Sequence, residues 1–170
     1  DGDRLLVSRF RSAELVVVDL LGQITKRVTP VSDSFSDRTP FFAWRTLPSP
    51  SGGMLMLHQR GTDGEVGVES GGYARGFDPC GGGSIVDETI TPIDPDADEP
   101  NGPPPTLPMI AGPADFSVSR NGAEIAVVAT DNSWSEGTLP KVLIVPANPD
   151  VPAPCIPGGD GVTGEPAAVA

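Results

Sequence analysis

The chain holds one histidine, two cysteines and one loop of alternating carboxylates, and chemistry would have to start from these. Asp94-Pro95-Asp96-Ala97-Asp98 spaces three carboxylates at every second position. In a loop, Asp94, Asp96 and Asp98 can converge on a hard cation such as Ca²⁺, which is held by oxygen ligands. Measured against an EF-hand loop the segment departs at two places: its sixth position is Glu99 instead of Gly, and its twelfth is Pro105 instead of Glu. An acidic, Pro-rich linker is the competing reading. His58 follows Met54-Leu55-Met56-Leu57 and is expected at a strand end, bonded to backbone or solvent. Cys80 and Cys155 lie far apart; they form one disulfide in an oxidising compartment or remain two unpaired thiols. No Cys-x-x-Cys-His is present, so this chain carries no covalent c-type haem site of its own. Gly81-Gly82-Gly83-Ser84 lacks the Lys of a phosphate-binding loop, and there is no Gly-x-Ser-x-Gly elbow for a serine nucleophile. Catalytic residues are therefore not assigned.

Composition narrows the partners further. Eleven basic residues against 23 acidic ones leave a net charge of −12. Nucleic acid needs clustered Lys or Arg to displace counterions from phosphates, and anionic membranes need the same, so both are excluded as expected partners. No run approaches the ~20 apolar residues of a membrane-spanning helix, and the first residues do not form a basic-then-apolar export signal. Twenty Pro and 21 Gly with very little Lys suit a loop-rich protein of the periplasm or the extracellular space.

The elements that must position any site read as strands. Leu5-Leu6-Val7 and Leu15-Val16-Val17-Val18 are short β-branched runs, and Gln23 to Val28 follows the break at Leu21-Gly22. Three consecutive Val lose side-chain freedom in a helix but fit a pleated surface. Phe41 to Trp44 is expected as a short strand or core anchor, Met54 to Gln59 as a strand paired through Thr62-Asp63-Gly64 with Glu65 to Glu69, and Ile85 to Ile93 as another. Asp115 to Ser119, Asn121-Gly122 and Glu124 to Thr130 form a hairpin, and Lys141 to Val145 is the next strand. Gly71 to Gly112 is a loop-rich insertion, within which Asp94 to Pro108 reads as a linker or solvated loop. Arg9, Arg11 and Arg60 are expected at the surface, and Phe116 in the core. Trp44, Trp134 and Tyr73 are expected to be buried more than exposed. No helix has a start signal, so the fold class is all-β.

One local plan recurs: a Pro-led segment, a tight Gly turn, then an apolar run. It is clearest at Asp115 to Ala129, recurs at Asp1-Gly2 to Ser8, and is weaker at Leu47 to His58. Recurrence at tens of residues marks a repeat architecture in which each unit buries its apolar face against the next. The pattern, with Glu14-Leu15-Val16-Val17-Val18-Asp19 as its following strand, resembles the repeat of YVTN-type β-propellers. Leu6-Val7-Ser8-Arg9-Phe10, Met56 to Gly61 and Gly164 to Ala170 are similar to exported bacterial propellers that accompany c-type cytochrome or di-haem peroxidase-like domains. The resemblance covers about half the chain, mainly its strands. It implies four-stranded antiparallel blades around a channel, with roughly four to eight blades in a closed ring.

The expectation is thus a partial β-propeller of about three to four blades spanning residues 1–170, its two ends falling inside repeats. An open arc exposes a blade edge and an apolar face. The expected partner is the remaining blades or another protein chain. Three functions follow in order: a non-catalytic scaffold or binding segment of an exported bacterial protein; the propeller part of a cytochrome-linked redox protein whose haem sites lie elsewhere; or a calcium-bound cell-surface module.

Overall fold

The computed structural model describes residues 2–30, 38–62, 86–97, 106–107, 111–131 and 141–148. These residues are all-β, with no helix among them, in three antiparallel sheets. The first sheet is a meander of β1 (Arg4–Arg9), β2 (Glu14–Asp19) and β3 (Ile24–Val28). The second runs β4 (Arg38–Pro48), β5 (Met54–Thr62), β6 (Val86–Ile93) and the two-residue β7 (Thr106–Leu107). The third orders β8 (Ala111–Val118), β9 (Glu124–Asp131) and β10 (Lys141–Pro146) with β9 in the middle.

The recurring turn joins the first two strands of the second and third sheets. A serine opens each turn, and a glycine three residues later donates its N–H back to the serine carbonyl: Gly52 to Ser49 at 3.0 Å, Gly122 to Ser119 at 2.8 Å. Both glycines sit at positive φ, 99° and 70°, a conformation that suits a residue without Cβ. Asn121 fixes the second copy further, accepting from Ser119 Oγ and from Ala123 N.

The sheets stack face to face with the second in the middle. Side chains alternate across a strand, so consecutive residues of β5 point to opposite neighbours. Leu55 and Leu57 join Ile90, Leu107, Phe116 and Val127 in one core against the third sheet. Met56 joins Ala13, Leu15, Val28, Ala43 and Ile93 in a second core against the first. Each fully buried Leu or Met contributes about 1.5–3 kcal/mol. Backbones of different sheets come closest between β1 and β4 and between β4 and β8, with β8 also near β5 and β6; β3, β7 and β10 come no nearer. β4 is thus the strand that both flanking sheets approach most closely, through β1 of the first and β8 of the third. The amide of Ala43 in β4 donates to the Phe10 carbonyl at the end of the first hairpin, pinning one junction, and Arg45 in β4 pairs with Asp115 in β8 at the other.

Several expectations need correction. Phe41 to Trp44 belongs to an 11-residue strand. Both edges of β5 are taken, by β4 and by β6, which leaves none for the expected hairpin with Glu65–Glu69, residues outside the described set. Leu107, read as part of a linker, pairs with Glu88 and is buried, because the core between the second and third sheets needs an apolar side chain at that edge. Phe116 is in the core as expected.

Candidate functional site

The middle sheet carries its polar residues indoors. On the face toward the first sheet, β5 places Met54, Met56, His58 and Arg60 in line, and β6 places Asp87, Thr89, Thr91 and Ile93 opposite them. His58 is fully buried within β5, and Arg60 is only 2% exposed. Both expectations, a strand-end histidine and a surface arginine, are overturned for one reason: β5 continues to Thr62 at the centre of a sheet covered on both sides.

Each group finds a partner, as buried polar groups must. Arg60 grips Asp87 with two parallel bonds, Nε to Oδ1 at 2.9 Å and Nη2 to Oδ2 at 3.0 Å. Arg38, buried at the start of β4, brings Nη1 within 3.1 Å of Asp87 Oδ2. His58 Nε2 lies 2.7 Å from Thr91 Oγ1. Burial disfavours the imidazolium and pushes the His58 pKa down to about 4; the nearby Arg60 charge adds to this, while the Gln59 carbonyl and Asp87 oppose it.

The opposite face holds Glu88, 3% exposed. Its carboxyl accepts from Gln59 Nε2 at 2.7 Å and from Trp44 Nε1 at 3.2 Å. Burial pushes its pKa up to about 7 despite these two donors, with Asp87 adding a smaller push the same way. Trp44 in turn meets the ring of Phe10 edge-on at 5.7 Å. A buried acid and a buried histidine with displaced titrations are what a catalytic site would offer. Here they face opposite neighbours across the same sheet, so they cannot act on one substrate. The arrangement is a structural polar layer.

The accessible candidate is an open cleft of about 280 Å³ beside the Asp94 loop, lined by Arg4, Leu6, Gly53, Asp94, Pro95 and Asp96. Asp94 and Asp96 are brought together: Asp94 Oδ1 accepts from the Asp96 amide at 2.9 Å. Both Asp96 carboxylate oxygens are held by Arg4 from the first sheet, Nη2 to Oδ2 at 2.8 Å. This bidentate pairing keeps the Asp96 carboxyl below the usual range. Lys26 of β3 donates to the Ala97 carbonyl. The loop is thereby strapped to the first sheet, and the oxygens that a cation would use on Asp96 already accept from a guanidinium. Among the described residues no three His, Cys, Asp or Glu side chains converge as metal ligands. Asp98, Cys80 and Cys155 lie outside the described residues.

Arg38, Asp87 and Glu88 escaped the sequence reading. Asp87-Glu88 interrupts an otherwise apolar and Thr-rich run, and adjacent acids inside such a run signal a strand with a buried partner on each face. No helix among the described residues is long and apolar enough to cross a membrane. No family model matches this chain, and neither does any curated protein or solved structure.

Proposed function

We infer that the chain is a non-catalytic β-propeller segment that serves as a scaffold or binding surface in an exported bacterial protein. The observation that carries this reading is that β1 and β8 both make their closest approach to the middle sheet at β4, so that the first strands of three successive meanders neighbour one another, with β8 also reaching β5 and β6. Blades around a channel have this radial order, whereas flat layers would keep all their strands equally spaced. The recurrence of the Ser-x-x-Gly turn at the same place in two sheets supports a repeat. The polar layer supports a non-catalytic role, because its acid, base and guanidinium groups are buried and bonded to one another.

Distances between spin labels test the radial order. A pair at Ser8 in β1 and Ser117 in β8 reports the first strands, and a pair at Thr25 in β3 and Val142 in β10 reports the last. The second pair should be clearly farther apart. Equal distances would mean parallel layers and would remove the propeller reading.

A further inference from the structure

We propose that the row Trp44, Gln59, Glu88 and Leu107 is a pH-operated latch: with Glu88 protonated it keeps β7 closed on the middle and third sheets, and with Glu88 ionised it releases β7 and admits water to the carboxylate. The latch concerns one seam between two sheets and does not depend on their radial order.

Register builds the row. Gln59 opposes Glu88 across β5 and β6, and Glu88 opposes Leu107 across β6 and β7. On the other side of Gln59, Trp44 lies at the irregularity of β4 between Ala43 and Arg45. The four residues thus cross all four strands of the middle sheet. Trp44 and Leu107 pack in the core shared with the third sheet, and Glu88 lies between them with its carboxyl buried.

Among the described residues the row has no countercharge. Both donors to Glu88, Gln59 Nε2 and Trp44 Nε1, are neutral. In its own sheet Arg38 and Arg60 engage Asp87 on the opposite face, where His58 meets Thr91. β7 supplies Thr106 and Leu107, neither of them charged. From the third sheet Phe116, Ile125, Val127 and Val145 enter the seam. Arg45 of β4 and Asp115 of β8, which bridge the two sheets, are half exposed and pair with each other, and Glu124 at the start of β9 is exposed. A carboxylate in such a place must take up a proton or reach water, and burial accordingly pushes the Glu88 pKa up to about 7.

The ladder sets where water enters. β4, β5 and β6 pair along most of their length, and the Trp44 ring is backed by Phe10 and Phe42 at 5.7 and 6.1 Å. β7 is joined to β6 only by the pairs Glu88 with Leu107 and Thr89 with Thr106. Short edge segments of this kind are the parts of a fold that open first. Release of β7 bares the β6 edge beside Glu88, and a bared strand edge can pair with another chain.

Amide hydrogen exchange on the intact 170-residue chain tests this, read at Thr106 and Leu107 of β7 and at Val127 in the core, and corrected for the pH dependence of the intrinsic rate. With β7 open Glu88 titrates at its ordinary 4.5, and with β7 closed at about 7, so the closed form is fully favoured below pH 4.5 and loses ground as pH rises to 7. Protection of the β7 amides should fall about 300-fold over that interval and level off above it. Val127 should not share the fall, because its exchange requires the core itself to open. Glu88→Gln keeps the shape of the side chain and has no charge to gain, so it should hold β7 protection constant, with circular dichroism verifying that it folds. Constant β7 protection in the intact chain overturns the proposal whether or not the variant folds. So does a fall that Val127 shares in full, or one that persists in Glu88→Gln.

Discussion

Replacing His58 by Gln should expose a pH dependence that the intact protein hides. Two buried groups on opposite faces of the middle sheet have pKa values displaced in opposite directions. Glu88 moves from 4.5 to about 7, and His58 from 6.5 to about 4. Each displacement is equivalent to about 3 kcal/mol, taking about 1.4 kcal/mol per pKa unit. The raised Glu88 pKa contributes stability that is complete below pH 4.5 and lost as pH rises through 7. The depressed His58 pKa contributes stability that is complete above pH 6.5 and lost as pH falls through 4. Between pH 4.5 and 6.5 the unfolded chain has released the Glu88 proton and kept the His58 proton, while the folded chain has done the reverse. Both states then bind the same number of protons from this pair, and its two slopes cancel.

The substitution removes one slope and leaves the other. His58→Gln, whose amide can still reach Thr91, should lose about 3 kcal/mol of stability from pH 4.5 to pH 7. Glu88→Gln should gain a similar amount from pH 4 to pH 6.5, and the double variant should again be flat across the shared window. Urea unfolding at closely spaced pH values measures all four profiles, with the common slope m confirming that the same surface is exposed each time. Only the slopes matter, so a uniform loss of stability in a variant does not interfere. A flat His58→Gln profile, or one rising with pH, would refute the assignment of Glu88 as a buried acid that ionises near neutrality.

Asp87→Asn leaves Arg60 and Arg38 buried against a neutral amide and should destabilise the fold by about 3–5 kcal/mol in urea unfolding. Gly53→Ala should cost about 1–3 kcal/mol, because φ is 72° there and an added Cβ would lie 2.6 Å from the Ile93 carbonyl oxygen. Gly52→Ala, with a similarly positive φ and open space around it, should cost less, and thermal melts of the pair separate the clash from the backbone strain. Leu57→Ala should cost about 2–5 kcal/mol by opening a cavity in the core between the second and third sheets. Adding CaCl₂ should raise the melting temperature of Arg4→Ala more than that of the intact chain, because Arg4 holds both oxygens of Asp96; equal shifts would show that the guanidinium does not compete with a cation.

How legible a strand was depended on which sheet it entered. The β-branched runs of β2 and β10 and the glycine turns before β5 and β9 are local signals, and local signals suffice to define strands and hairpins. What they cannot convey is the number of covered faces. Arg60 and His58 follow four apolar residues and look like the polar end of a strand, because a polar residue is by default assigned to water. In a sheet covered on both sides there is no water-facing side, so a polar residue stays only if a neighbour satisfies it. That neighbour is set by register: Asp87 opposes Arg60 because Met54 opposes Ile93 six pairs along the same ladder. Register between β5 and β6 depends on a connection of more than twenty residues, and nothing in its composition counts pairs. The same logic, applied in reverse, makes the buried layer informative. An ion pair and a carboxylate–indole bond inside a stack of sheets cost more to mispair than apolar contacts do, since a one-residue slip would put Arg60 opposite Glu88 or Val86 and take Asp87 to the other face, away from Arg60. The layer therefore selects one register among several that the apolar residues alone would tolerate, a role that fits buried, mutually bonded groups with no route to a substrate.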